Sequence, residues 1–214
     1  MTGLRDALAG LPAVARWSLL GAGGLLVALL IGAGGWTFLE RRESAARLAL
    51  ATAVGTYRQA MADRGESQFA TAAASLREFV SSYPRSSVAA QAWYFLGNVE
   101  YERRDYDAAL KAFGEAAGRD TGSVGALSRL GTGYAWEAKG NPTRALEAYA
   151  EALKGRTSQD FLYAELLLAS ARAQELLNQP TAAVETYRRL LRQIPDHPRA
   201  GDIRIRLGSL QSGA

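Results

Sequence analysis

Three stretches of this chain carry one arrangement of small and large side chains, and that recurrence limits the fold more than any other feature. Asp105–Ala116, Asn141–Ala152 and Gln179–Leu190 each place an alanine four residues ahead of an aromatic ring: Ala109 and Phe113, Ala145 and Tyr149, Ala183 and Tyr187. The three alanines stand 36 and 38 residues apart. Steps of four put both residues on one face of a helix. Ala116 and Ala152 continue two of these faces. Pro142 and Pro180 fall in a first turn, where a missing N–H costs little, and Pro195 closes the third helix. Asp105 and Asp107 read as helix-start residues that accept free backbone N–H groups. A helix with so narrow an apolar stripe buries it only against neighbours, so the units must stack.

The best-defined unit runs from Ala90 to Asp120 and holds Trp93, Leu96, Gly97, Tyr101, Asp105-Tyr106, Ala109, Phe113 and Ala116. With those residues it resembles a tetratricopeptide repeat, a helix–turn–helix of ~34 residues. Gly97, Ala109 and Ala116 are small where two antiparallel helices come close; Trp93, Leu96 and Phe113 are large where the space between units must be filled. A degenerate unit ends at Leu76–Pro84, and Ala200–Leu210 reads as a closing helix. In the second unit the close-contact glycine is Gly131 or Gly133, and in the third Ala171 stands there. The expected fold is all-α: one N-terminal transmembrane helix, then an α-solenoid of about four such hairpins and a C-terminal capping helix. Its domains are a tail at 1–16, a membrane helix at 17–39 and repeats at 40–214, with 44–63 as the first helix of the array.

The membrane helix is expected because Trp17–Leu39 is 23 residues without a charge. At ~1.5 Å per residue it reaches ~34 Å, against a hydrocarbon core of ~30 Å. Trp17 and Trp36 mark its ends, where indoles favour the headgroup region. A cleaved signal peptide carries an apolar run of only ~7–15 residues, and with no cysteine in the chain there is no site for lipoprotein acylation. Arg5 and Arg16 precede the span while Arg41, Arg42 and Arg47 follow it, so charge counts leave the orientation open. Gly24, Ala28 and Gly32 recur at four-residue steps, the spacing that lets a second helix approach.

Catalytic constellations are not in evidence. His197, the single histidine, sits in a Pro195-Asp-His-Pro198 turn without the carboxylate and nucleophile a histidine base requires. The absence of cysteine removes thiolate chemistry and Cys-based metal sites. No enzyme activity, cofactor or metal is therefore expected. Repeat arrays work through the surface lined by the first helix of each unit. In the clear unit that surface places Gln91, Tyr94, Asn98, Tyr101 and Glu102 as a candidate peptide groove, with Tyr101 equally suited to covering the next repeat. The formal charge of +4 matches that of residues 186–214 alone, where six arginines meet Asp196 and Asp202. A solvated helix face explains that tail, so nucleic acid is not an expected partner; binding of anionic lipid or nucleic acid through the basic C-terminal helices is the third and weakest reading.

The whole-chain plan of short tail, single span, Ser44-Ala-Ala-Arg47 helix and degenerate repeats is similar to the YfgM-like ancillary subunit of the bacterial Sec translocon. That resemblance implies an inner-membrane protein with periplasmic repeats, beside translocon subunits and periplasmic chaperones. The Ser81–Ala89 stretch also looks like repeats of cell-division and outer-membrane assembly proteins, so an envelope scaffold is the second reading. Oligomeric state is not encoded in any of these features.

Overall fold

The structure, a computed structural model, describes residues 12–212, apart from the side chains of 13–17, 19, 20, 23 and 26–28. All regular structure among the described residues is helical. The helices are α1 (Ala13–Asp63), α2 (Glu66–Ser82), α3 (Ala89–Glu102), α4 (Tyr106–Arg119), α5 (Ser123–Ala138), α6 (Pro142–Leu153), α7 (Tyr163–Leu176), α8 (Pro180–Gln193) and α9 (Ala200–Ser212). The chain divides after Ala45 into two units.

In the first unit α1 contains the charge-free block. Leu29, Leu30 and Ile31 point ~100° apart around the axis, yet all three are exposed, as are Leu25, Trp36, Phe38 and Leu39. A Cβ added at Gly24 or Gly32 would meet nothing within 4 Å. The expected span at 17–39 is not met among the described residues, where no helix is long and apolar enough to cross a membrane. That statement leaves out the side chains of Trp17, Leu19, Leu20, Leu26, Val27 and Ala28, which lie outside the described residues, as does 1–11 of the expected tail.

The second unit is built from four hairpins and a closing helix. Ala46, Leu50, Ala53 and Ala60 of α1 are buried in one cluster with Phe69, Ala72, Ala73, Leu76 and Phe79 of α2 and Leu96 and Val99 of α3. Further on, α3 pairs with α4, α5 with α6 and α7 with α8, while each first helix also packs on the hairpin before it. Ile203 of α9 closes the last cluster against Leu167, Leu168 and Leu190. No described helix follows to cover the far side of α9, and Ile205 there is 76% exposed.

Small residues set the spacing, as the pattern requires. A Cβ on Gly97 would lie 2.5 Å from Phe113, and one on Gly131 would lie 2.6 Å from the same ring. On Gly133 it would lie 2.0 Å from Tyr149. Gly133 therefore takes the place of Gly97 within the second clear hairpin, and Gly131 receives the ring of the hairpin before it. The choice left open by the sequence dissolves, because both glycines are close-contact positions. Ala171, buried beside Tyr187, stands at the matching place in the third.

The hairpin turns share one geometry. Arg104, Gly140 and Asn178, spaced like the alanines, have φ of 62°, 75° and 55°. The following N–H in each case reaches back over the turn, from Asp105 to Glu100, Asn141 to Trp136 and Gln179 to Gln174, at 2.9 Å. The next helix is capped by Asp105 on the Ala108 N–H and by Asn141 on that of Arg144, both at 3.1 Å. A side chain in the left-handed region costs ~1–2 kcal/mol that glycine avoids, partly offset by glycine's larger unfolded-state entropy. Arg104→Gly is accordingly expected to gain ~0.5 kcal/mol and Gly140→Ala to lose ~1 kcal/mol. Urea midpoints of the full chain check the pair; shifts in the same direction would refute the assignment.

Candidate functional site: a groove along the first helices

A cavity of about 480 Å³ on the repeats is lined by Tyr101 of α3, by Tyr134, Glu137 and Ala138 of α5, and by Arg172 and Leu176 of α7. A second, about 330 Å³, lies one hairpin further on and includes Leu168, Arg172, Glu175 and Tyr187, with Arg199, Asp202 and Arg206 on its far side. Arg172 is the wall they share. Both run along the first helices of successive hairpins, the surface the sequence assigned to binding.

Of the five expected groove residues, Tyr101 lines the first cavity. Gln91 and Glu102 are exposed outside its lining. Tyr94 turns inward, its ring 5.6 Å from Phe95 and 6.2 Å from Phe113. Asn98 hydrogen-bonds the Tyr57 phenol. The face read from one repeat is thus partly core, because Tyr94 packs on Phe113 of its own hairpin. Trp93 is half-buried against the first cluster, with the Arg119 guanidinium 6.0 Å from its ring centre. The remaining signature residues Leu96, Gly97, Ala109, Phe113, Ala116, Ala145, Tyr149, Ala152, Ala183 and Tyr187 are buried, and Pro195 follows the end of α8.

The groove floor is held by a repeated three-residue rung. The Tyr149 hydroxyl donates to Glu137 Oε1 at 2.8 Å, and Arg172 Nε donates to Glu137 Oε2 at 2.9 Å. One hairpin on, the Tyr187 hydroxyl donates to Glu175 Oε1 at 2.8 Å, and Arg206 Nε to Glu175 Oε2 at 2.7 Å. Each rung ties both helices of a hairpin to the helix that follows, α7 for the first and the closing helix α9 for the second. The carboxylates are sunk, with 14% and 13% side-chain exposure, while Arg172 and Arg206 are 45% and 54% exposed. The guanidinium of Arg172 also lies 5.5 Å from the Tyr134 ring centre, and the Tyr134 hydroxyl donates to Glu165 at 2.5 Å.

Sequence pattern alone did not single out Tyr134, Glu137, Arg172, Glu175 or Arg206. A signal was present: tyrosine replaces Phe113 at 149 and 187, and glutamate lies twelve residues ahead of each where the first unit has Tyr101. A buried hydroxyl needs an acceptor, and the glutamate supplies it.

Burial, then the bond to Glu137, pushes the Tyr149 phenol far above its ordinary value of 10.0; burial and Glu175 do the same to Tyr187, burial and Glu165 to Tyr134. Burial acts to raise the Glu175 carboxyl, but bonds from Arg206 and Tyr187 outweigh it and hold the group below its ordinary range. For the phenols the folded chain keeps protons that the unfolded chain releases near pH 10. Their contribution is therefore full below pH 10 and is lost as pH rises further, at ~1.4 kcal/mol per pH unit for buried Tyr149. Urea midpoints at pH 9, 10.5 and 11.5 should fall steadily, with a shallower fall for Tyr149→Phe. A flat profile would contradict the buried rungs.

Nothing among the described residues groups three metal-binding side chains. His197 lies in the turn before α9, its Nδ1 accepting from the Arg199 N–H at 3.2 Å.

Stacked helical hairpins with close-packed glycines define an α-helical repeat protein. The tetratricopeptide repeat family matches residues 57–124 and 97–161, and again residues 165–197, over half of the chain. The chain belongs to the tetratricopeptide repeat proteins, whose arrays serve as protein–protein interaction scaffolds. Among solved structures it is similar to MamA protein, at 23% identity over 65% of this chain and 69% of that one, with a TM-score of 0.55. It is also similar to the nearly identical TPR-like repeats of a Podosopora anserina putative kinesin light chain, at 14% identity over 74% and 84%, TM-score 0.62. A single-substitution form of those repeats gives 0.61. These likenesses show the fold. No curated protein matches the sequence.

Proposed function

We propose that this chain is a single-pass membrane-anchored scaffold that holds partner proteins in the groove along its first helices, with its repeats in the bacterial periplasm close to the Sec translocon. The observation that carries the anchor is the ring of exposed Leu25, Leu29, Leu30, Ile31, Phe38 and Leu39 around α1, within 23 residues free of charge. A helix apolar on all sides needs an apolar surrounding. The groove supplies the working surface, and nothing in it has the constitution of a catalytic centre. Placement near the translocon rests on the whole-chain resemblance in layout.

The full chain, produced in bacterial cells, is expected to stay with the membrane pellet after an alkaline carbonate wash. In intact spheroplasts its repeats should be cut by external protease. Repeats protected until lysis would end every envelope reading together. Crosslinking in membranes should then recover Sec channel subunits above the level given by an unrelated single-span protein. Recovery of division or outer-membrane assembly proteins instead would retain the anchored scaffold and remove the translocon.

A further inference from the structure

We propose that the repeats rest on a lipid surface through the end at which Ala46 lies, with the Phe161 ring at headgroup depth and Lys154 and Arg85 against lipid phosphates. This goes beyond the scaffold reading and rests on its membrane anchor. Topology gives the first reason. Within the repeat unit α1 runs away from Ala46 and α2 runs back, and each later hairpin repeats that course. The loops 83–88, 120–122, 154–162 and 194–199 therefore all lie at the Ala46 end, and the turns inside the hairpins lie at the other. Seven residue steps separate Ala46 from Leu39, the last residue of the charge-free block. Even fully extended, that length of chain spans at most ~25 Å.

The loop 154–162 gives the second reason. It is the longest of the four, and its own bonds hold it in one shape. Gly155 turns the chain at a φ of 71°. Arg156 donates from Nε to the Ala152 carbonyl at 2.8 Å and pairs with Asp160. The Asp160 N–H donates to the Thr157 carbonyl at 2.9 Å, and the Leu162 N–H donates to Asp160 Oδ1 at 2.9 Å. The backbone on both sides of Phe161 is thus fixed. Leu162 enters the core, while Phe161 is 67% exposed. Leu48, two residues past Ala46, is 72% exposed at the same end. Of the other exposed large apolar side chains on the repeats, Leu176 lines the groove and Ile205 lies on the uncovered side of α9.

Charge gives the third reason. Aromatic rings gather at the headgroup level of a bilayer, and lysine and arginine beside them meet anionic lipid. Lys154 shares the loop with Phe161, and its only partner is the exposed Glu151. An exposed pair of that kind contributes little, so a lipid phosphate can take its place. Arg85 is exposed in the loop 83–88. Two acids at this end are already occupied: Asp120 accepts from the Gly125 N–H at 2.8 Å, and Asp160 is held by Arg156 and the Leu162 N–H.

The chain has no cysteine, so one introduced thiol carries a probe without ambiguity. Phe161→Cys and, at the opposite end, Gln179→Cys are labelled with an environment-sensitive fluorophore. Both positions are exposed, so the fold stays in place. The full chain is reconstituted in vesicles of phosphatidylethanolamine and phosphatidylglycerol, some of whose lipids carry a spin label just below the headgroup. Roughly half or more of the fluorescence at 161 should be quenched, and almost none at 179. Adding Arg85→Glu and Lys154→Glu should cut the quenching at 161 at least twofold, as should replacing phosphatidylglycerol by phosphatidylcholine. Equal quenching at 161 and 179, or none at 161 in chains that float with the vesicles, would overturn the inference and leave the anchor standing. Chains that fail to float would remove the anchor and this inference together. A spectral change at 161 that grows with the ratio of protein to lipid, without quenching, would overturn the lipid contact in favour of a second copy. Quenching indifferent to the charge changes would overturn the role of Arg85 and Lys154.

Discussion

Replacing Phe113 by alanine should destabilise the repeats by about 3–5 kcal/mol, the range for deleting a buried aromatic ring. The ring is 1% exposed. Gly97 of its own hairpin and Gly131 of the next both give up their Cβ to admit it. No side chain at either glycine is long enough to refill the space, so the cavity persists and its cost adds to the lost transfer energy. Phe113→Leu, which keeps most of the volume, should lose ~1 kcal/mol or slightly more. Urea unfolding of the full chain followed by circular dichroism measures both. A loss below 1 kcal/mol for the alanine variant would mean that α4 and α5 close up freely, contrary to the packing described.

The second large effect concerns Glu100, which is 1% exposed between Arg77 of α2 at 2.5 Å and Arg103 at 2.7 Å. Its carboxylate is the buried member, and its partners reach it from the surface. Removing both arginines as the Arg77→Ala, Arg103→Ala pair leaves an anion inside without compensation, which costs about 3–5 kcal/mol. Removing the carboxylate as Glu100→Gln leaves two arginines that can turn to water, and should cost clearly less. The asymmetry is the test: equal losses from the double variant and from Glu100→Gln would show that the pair contributes through packing and not through charge.

The architecture was legible because the second helices repeat their small and large residues with little drift. Ala109, Ala145 and Ala183 with Phe113, Tyr149 and Tyr187 fixed the helix faces of three hairpins, while Leu76–Pro84 and Ala200–Leu210 marked the degenerate first unit and the closing helix. The first helices were harder to read. Gly131 and Gly133 both satisfy the demand for a small residue, since one faces its own hairpin and the other the hairpin before it. Within the groove only Tyr101 was anticipated among the lining residues. Glu137 and Arg172 are 35 residues apart, and long side chains meet by rotamer choice, which periodicity does not encode. Glu100 was missed for a related reason: a glutamate next to Tyr101 reads as solvent-facing unless the two arginines that reach it are known.

The displacement of one rung onto the next has an evolutionary corollary. Tyr163–Arg199 contains an arginine that answers the preceding glutamate and a glutamate awaiting the next arginine. A tandem duplication of that segment would insert without leaving either end mismatched: the original Glu175 would meet the duplicate of Arg172, and the duplicate of Glu175 would meet Arg206. The array is therefore built to take whole added hairpins, each lengthening the cleft by one more Tyr–Glu–Arg rung, with no new pairing to invent.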